Sequence, residues 1–162
     1  MKRILMMLVM LVPVLSSCAT VELLDKSKIV PFQKIIEVPN TSKSDLFDKC
    51  TNWFVGNFKD VESVISYSNK DNDIFRGDIV TTLTLGEGLV YLSFKVKQLL
   101  IINIKENRVR ITIENPFYYN TYYKMYKPII TKTNYDEIRS EWPKTVESLK
   151  EYLLKNSNDK DW

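Results

Sequence analysis

The two cysteines of this sequence have the most distinctive chemistry, and they occupy different contexts. Cys18 follows a segment with a charged start, Lys2-Arg3, and an apolar run from Ile4 to Leu15. A charged start, a short apolar run and a small-residue end are typical of a secretory signal. The run is too short to cross a bilayer, because a transmembrane helix takes about 20 apolar residues.

The residues Leu15-Ser16-Ser17-Cys18 resemble the bacterial lipobox, in which a peptidase cuts before the cysteine and that cysteine receives lipid. Acyl chains would anchor the protein stably, since each buried methylene contributes about 0.8 kcal/mol. We therefore expect a signal peptide over residues 1–17, lipidation of Cys18 and a tether over residues 18–30. An ordinary secretory signal with an unmodified cysteine is the alternative.

The lipid anchor predicts a location in the cell envelope, at the outer membrane rather than the inner one. The sequence leaves open whether the protein faces the periplasm or the cell exterior, because no acidic run follows Cys18.

Cys50 lies at helical spacing from Leu46, Trp53 and Phe54, which predicts a small buried core residue rather than a nucleophile. The chain has no histidine, so Ser-His-Asp and Cys-His arrangements and histidine zinc sites are excluded. We expect no catalytic residue, no metal site and no cofactor.

Carboxylate pairs occur at Asp71 with Asp73 and at Glu137 with Glu141. The first pair falls in a predicted turn and the second on a predicted helix surface, where solvation and capping explain them. Glycosidase chemistry needs two carboxylates held across a cleft. The sequence therefore predicts a protein that is not an enzyme.

Composition and length predict one globular domain, since 162 residues with 44% hydrophobic content can bury one core. The 23 basic residues exceed the 20 acidic ones, but removal of Lys2 and Arg3 would leave a net charge of +1. A nearly neutral mature chain does not suggest nucleic acid as the partner.

Periodicity predicts five strands and two helices. In chain order these are a strand over Phe32–Val38, a helix over about Asp45–Asn57 capped by Ser42 or Ser44, a half-buried strand over Val61–Tyr67, strands over Phe75–Leu85, about Leu89–Lys105 and Arg108–Ile113, and a helix from about Asp136. Pro143 predicts a kink or a fresh start in the last helix. Gln98 interrupts the apolar face of its strand and suggests a bulge.

This order, β-α-β-β-β-β-α, predicts an α+β domain over residues 31–155 with a frayed tail over 156–162. Two apolar helix stripes would cover one face of a mainly antiparallel sheet, which gives two layers.

The Glu106-Asn107 pair is predicted to be a two-residue hairpin loop. Its register matches apolar residues on every second pair, whereas a shift of one residue would destroy the match. The predicted pairs are Lys105 with Arg108, Ile104 with Val109, Ile102 with Ile111 and Leu100 with Ile113.

Three segments resemble the bacterial domain of unknown function 4468, described as having a TBP-like fold. They are Val38 to Phe47 leading into Asn52-Trp53-Phe54, Asp71 to Gly77, and the hairpin Ile104 to Arg110. Glu106-Asn107 stands where the family tends to have Asp-Gly, and Gly88 to Gln98 departs from its pattern. The resemblance implies half of a TBP-like fold and an envelope-associated protein, with no known catalytic residues.

The outer face of the predicted sheet combines cations with two apolar residues. Its candidate interaction residues are Lys95, Leu99, Ile101, Lys105, Arg108 and Arg110, with Lys97 and Arg76 as further cations. A charged surround with an apolar centre is the anatomy of a partner site. Solvated charges on an open sheet are the alternative. The TATA-binding protein grips DNA with the corresponding face, but a shared fold does not imply a shared function.

The segment from Phe117 to Tyr126 is rich in aromatic residues, including Tyr118, Tyr119, Tyr122 and Tyr123. Tyrosine clusters suit sugar stacking, protein contact or a membrane interface. Alternatively, alternate rings pack on the sheet edge and the helix. The sequence leaves open whether Leu99 and Ile101 are covered by the tether, by the segment after Pro116 as a structural lid, or by a partner.

Together these features predict a lipid-anchored, non-catalytic binding module of the cell envelope, with another envelope protein as its partner. A module for glycan or anionic lipid is the alternative, and an enzyme comes third.

Overall fold

The computed structural model describes residues 22–59, 63–85 and 92–155. In these ranges the elements are β1 (Phe32–Glu37), α1 (Lys43–Asn57), β2 (Val64–Asn69), β3 (Ile74–Leu85), β4 (Leu92–Lys105), β5 (Arg108–Asn120), β6 (Met125–Pro128) and α2 (Lys132–Lys155), with a short 3-10 helix, Lys26–Lys28, before β1. The predicted α+β class is confirmed. The predicted signal peptide, Cys18 and the tail 156–162 lie outside the described residues.

The strands form one antiparallel sheet in the order β1-β5-β4-β3-β2, and β6 also pairs with β5. β1 pairs with Arg108–Ile113 of β5, whereas β6 pairs with Phe117–Asn120 along the same edge. The predicted order lacked β6 and is corrected here. A four-residue strand that ends in Pro128 has too little periodicity to be recognised from the sequence.

A bulge in β5 allows this strand to continue beyond the point where we expected it to end. Leu99 of β4 faces Glu114 of β5, but Lys97 faces Phe117, so β5 contains one extra residue. Asn115 has a left-handed φ of 53°, which asparagine tolerates better than most residues. The predicted bulge at Gln98 therefore lies opposite that residue, in the partner strand.

The hairpin between β4 and β5 has the predicted register, with Lys105 opposite Arg108 and Ile104 opposite Val109. Asn107 adopts a φ of 62° in the two-residue loop. Its side-chain oxygen accepts a hydrogen bond from the Thr41 backbone N–H at 3.1 Å, and its carbonyl accepts one from Val38 at 2.7 Å. The hairpin loop thus also fixes the connection between β1 and α1.

Helix α1 begins after Ser42, whose hydroxyl accepts a hydrogen bond from the Asp45 backbone N–H at 3.1 Å. Of the two predicted caps, Ser42 and Ser44, the structure uses Ser42, which accepts a hydrogen bond from the residue three positions later as N-cap residues usually do.

Helix α2 runs without interruption from Lys132 to Lys155, although Pro143 lies inside it. The predicted fresh start at Trp142-Pro143 is wrong. Proline removes only one backbone donor there, while Trp142 and Val146 on either side are buried in the core and hold both halves of the helix in place.

Both helices cover the same face of the sheet, called the inner face below. The largest fully buried side chains of this core include Trp53, Trp142, Phe75, Leu100, Ile102, Ile111 and Leu149. Gln98 is a buried polar residue on this face. Its amide donates to Thr81 Oγ1 at 3.2 Å, and its carbonyl oxygen accepts a hydrogen bond from the Trp142 indole N–H. Both ends of the buried amide are therefore satisfied.

Two local predictions differ from the structure. β2 spans Val64–Asn69 and is an edge strand whose residues Ile65 to Ser68 are exposed, so it is not the half-buried strand expected over Val61–Tyr67. Residues 61 and 62 lie outside the described residues.

The predicted tether is shorter than expected, because the chain already lies against the domain from Glu22. Leu23 forms a bridge with Thr131, and the Leu24 backbone N–H donates to the Ile130 carbonyl at 2.9 Å. Leu24 and Ile29 also pack against the core.

Candidate functional site: the outer face of the sheet

The face opposite the helices, called the outer face below, carries alternate residues of β1, β3, β4 and β5. Strand pairing places them in rows across the sheet: Lys105 with Arg108 and Glu37, then Asn103 with Arg110 and Ile35, then Arg76 with Ile101, Thr112 and Gln33, then Asp78 with Leu99 and Glu114. The helices contact the sheet from the inner face. In the described ranges, neither helix covers the outer face.

One end of the outer face is basic. Lys105, Arg108 and Arg110 line a depression of about 240 Å³ together with Ile35 and Asn103, and we call this depression the basic pocket. The hairpin loop brings Lys105 and Arg108 directly opposite each other, while β1 supplies Ile35 from the far side of β5.

The three cations of the basic pocket have one carboxylate in their rows, Glu37 opposite Arg108, and it forms no ion pair with them. Among the described residues, none of its three cations forms an ion pair within 4.0 Å. Arg110 Nη2 donates to Asn103 Oδ1 at 3.1 Å, which fixes its guanidinium without neutralising it. Like charges directly opposite each other in a sheet are destabilising. An anion in the basic pocket would relieve this repulsion.

The centre of the outer face is apolar. Leu99 and Ile101 are half-buried and lie in neighbouring rows of β4. Asp78 is opposite Leu99, but its carboxylate pairs with Lys97 Nζ at 2.8 Å. An apolar strip therefore adjoins the basic pocket on the same strand.

The segment after Pro116 does not form a lid over Leu99 and Ile101, which was one of the alternatives that the sequence left open. Phe117–Asn120 and Met125–Pro128 pair with each other as β5 and β6, so this part of the chain extends the sheet in its own plane. The reason is the bulge at Asn115, which lets β5 continue along β4 instead of turning across it.

The four candidate tyrosines are divided among three places. Tyr119 lies opposite Tyr126, with ring centroids 5.3 Å apart and an edge-to-face geometry. Tyr118 pairs with Val96 and packs against the core, so its assignment to the interaction surface is corrected. Tyr122 and Tyr123 lie beyond the sheet in the turn between β5 and β6.

Strand alternation places the other predicted residues together on the outer face. These are Lys95, Leu99, Ile101, Lys105, Arg108 and Arg110. Sequence reasoning missed Ile35 and Asn103 as members of this site. The adjacent pair Ile35-Ile36 contained a signal, because a strand places two neighbouring isoleucines on opposite faces and the predicted helices cover only one of these faces.

Cys50 is fully buried in α1, and burial raises the pKa of its thiol to about 12. A thiol of this kind stays protonated at neutral pH and is a poor nucleophile. The described part of the chain contains no cluster of three or more cysteine, aspartate or glutamate residues suited to a metal ion. Neither helix described here is long and apolar enough to span a membrane.

An open antiparallel sheet with two helices on one face is the architecture of a TBP-like α+β domain. The sequence profile of the family "Domain of unknown function (DUF4468) with TBP-like fold" matches residues 32–119. The chain belongs to this family.

Two solved structures have a similar fold. A DUF4468 family protein from Bacteroides ovatus ATCC 8483 is 15% identical with a TM-score of 0.53, and the match covers 65% of this chain and 64% of that one. A TBP-like protein from Parabacteroides distasonis ATCC 8503 is 25% identical with a TM-score of 0.52, and the match covers 66% and 69% of the two chains. No curated protein matches the chain significantly.

Proposed function

We propose that this protein is a non-catalytic binding module of the cell envelope, held at the membrane by lipid on Cys18. Its outer face binds an acidic surface of another envelope protein. The observation that carries the proposal is the basic pocket, in which Lys105 faces Arg108 and Arg110 is adjacent. None of these three cations forms an ion pair with a described residue.

A protein partner fits the outer face better than a small ligand does. The basic pocket continues into the apolar strip of Leu99 and Ile101, and partner sites combine a polar rim with an apolar centre. Arginine is also enriched among residues that dominate binding energy. The pocket itself is shallow and small, whereas sites for drug-sized molecules enclose about 300 Å³ or more.

Two other functions have less support. Nucleic acid binding by a TBP-like sheet would require a continuous basic stripe, but Asp78 and Glu114 interrupt the centre of this face. Catalysis has less support because the sequence contains no histidine to act as a general base, and the buried Cys50 thiol is protonated at neutral pH.

A glycan ligand is the second candidate, because the other end of the outer face carries aromatic rings on which a sugar could stack. These rings belong to Phe117, Tyr119 and Tyr126. Lys97 Nζ lies 5.9 Å from the Tyr126 ring centroid, so a charged group adjoins these rings. The edge-to-face packing of Tyr119 on Tyr126 offers no pair of parallel rings for a sugar, which makes this candidate the weaker one.

The proposal is tested by crosslinking and pull-down of the full-length protein from detergent-solubilised envelopes. The test variant is the double charge reversal Arg108→Glu with Arg110→Glu. The matched control is Lys144→Glu with Lys150→Glu, which changes the net charge equally on the exposed side of α2.

We expect a protein that co-purifies with the wild type and the control to be lost from the test variant. Its capture should weaken with salt, because charged rims act through screened attraction. Equal capture by all three forms would overturn the proposed use of the outer face. Retention on a glycan array that depends on Tyr119 and Tyr126 would support the second candidate instead.

A further inference from the structure

Exposed apolar and aromatic residues gather where the N-terminal segment joins the domain. Leu23 is 71% exposed and Tyr122 is 85% exposed. Single exposed apolar residues are ordinary, but a group of them at one place marks an interaction or membrane site. The whole group, called the membrane-facing end below, comprises Leu23, Tyr122, Tyr123, Met125 and Ile130.

Chain pairing brings these residues to one end of the molecule. The bridge between Leu23 and Thr131 places Leu23 beside Ile130. Asn120 and Thr121, at the base of the turn that carries Tyr122 and Tyr123, line one depression of about 470 Å³ together with Ile130 and Thr131.

Lysines accompany the exposed apolar residues. Lys124 lies in the turn itself, and Lys127 Nζ is 3.5 Å from the Tyr123 ring centroid. Aromatic rings, aliphatic side chains and lysines together are typical of surfaces that rest in the headgroup region of a bilayer.

The sequence places the predicted anchor close to this end. Cys18 is four residues before Glu22, so an extended chain spans at most about 14 Å between them. A lipid on Cys18 would therefore hold Leu23 within reach of the bilayer surface.

We propose that the membrane-facing end rests on the phospholipid surface of the bilayer that carries the anchor. Tyr122, Tyr123, Leu23 and Ile130 insert into the headgroup region, and Lys124 and Lys127 contact anionic headgroups. This inference rests on the lipid anchor of the proposed function, but not on the use of the outer face.

The experiment measures depth in the bilayer at two positions of the full chain. Tyr122→Cys and Ile35→Cys are each labelled with an environment-sensitive fluorophore. The buried Cys50 thiol should remain unlabelled, because its raised pKa and its burial both prevent reaction. Wild-type protein labelled in parallel gives the background from Cys18, whose thiol can react wherever it is not acylated. Ile35 is the control, since it is an exposed apolar residue that lines the basic pocket at the other end of β5.

The protein is reconstituted into phosphatidylethanolamine vesicles with about one quarter phosphatidylglycerol and headgroup-level quencher lipids. We expect at least about twofold stronger quenching at position 122 than at position 35, because only position 122 would lie in the headgroup region. Replacement of Tyr123 and Ile130 by serine should reduce quenching at position 122, whereas serine at Tyr67 should not.

Flotation and fatty-acid labelling separate failure of the anchor from failure of the surface. Acylated protein that floats with vesicles but shows equal quenching at both positions overturns the membrane-facing end and leaves the anchor intact. Flotation without fatty-acid labelling, with stronger quenching at position 122, supports the membrane-facing end and overturns the anchor. No flotation overturns both.

Discussion

Ile101 and Ile102 are neighbours on β4 with the same side chain, yet they belong to opposite faces of the sheet. Ile102 is fully buried against the two helices, whereas Ile101 is half-buried on the outer face beside Arg76. Residue type therefore does not decide the role of an isoleucine here. The strand alternation assigns one to stability and makes the other available for binding.

The largest expected effect separates these two residues directly. Ile102→Lys should unfold the domain, because an unpaired buried charge costs several kcal/mol, comparable with the total stability of a small domain. Ile101→Lys should change the free energy of unfolding by less than about 1 kcal/mol, as surface substitutions usually do. Urea denaturation followed by circular dichroism measures both. Equal losses would mean that the outer face is as buried as the inner one.

A second prediction concerns the polar contact inside the core. Trp142→Phe leaves the buried Gln98 carbonyl without the indole donor, which should cost about 1–3 kcal/mol beyond the loss of ring volume. Trp53→Phe is the matched control, since its indole donates at 3.2 Å to Ser148, which is only half-buried.

Adding Gln98→Leu to Trp142→Phe should recover part of the lost stability, because both polar partners are then removed together. If the double variant is no more stable than Trp142→Phe alone, the interaction between Gln98 and Trp142 contributes nothing specific.

The third prediction uses the buried thiol of Cys50 as a pH probe of the core. Burial raises its pKa from 9.0 to about 12, so the unfolded thiol ionises at a lower pH than the folded one. Stability is therefore complete below about pH 9 and falls as the pH rises toward 12, by up to about 1.4 kcal/mol per pH unit. Thermal melts of the wild type and Cys50→Ala between pH 8 and 10.5 measure the difference in slope. Parallel curves would contradict the buried thiol.

The smallest expected effect tests the outer face again. Lys105→Gln removes one of two like charges that face each other, and should raise stability by about 0.2–1 kcal/mol. The gain should vanish in 1 M salt, where screening removes the repulsion. The same substitution should weaken partner capture. A loss of stability would show that Lys105 has a structural role in the hairpin.

Local patterns in the sequence were sufficient for the hairpin and for the inner face. The register of Ile102 with Ile111 follows from alternation on two strands joined by a two-residue loop, and Ser42 caps α1 as its residue type predicts. The same alternation placed Ile101 and Arg108 on the outer face, because both lie close to that loop.

The parts that sequence reasoning missed depend on pairing between distant segments. Ile35 joins the basic pocket only because β1 pairs with β5, and no local period encodes that choice of neighbour. Tyr118 was grouped with its neighbouring tyrosines by residue type, whereas the bulge at Asn115 places it on the inner face and Tyr119 on the outer one. Pro116 suggested the end of the strand, although proline is tolerated at a bulge.

β5 contains 13 residues, so the basic pocket at its start and the turn after its end are about 40 Å apart. The Debye length at 0.1 M salt is about 10 Å. The charges of a bilayer under the membrane-facing end would therefore be screened from Arg108 and Lys105. Anionic lipids could not occupy the pocket of an upright domain, and the pocket would keep its affinity for an acidic partner. The salt dependence of partner binding should then be the same in detergent and on vesicles.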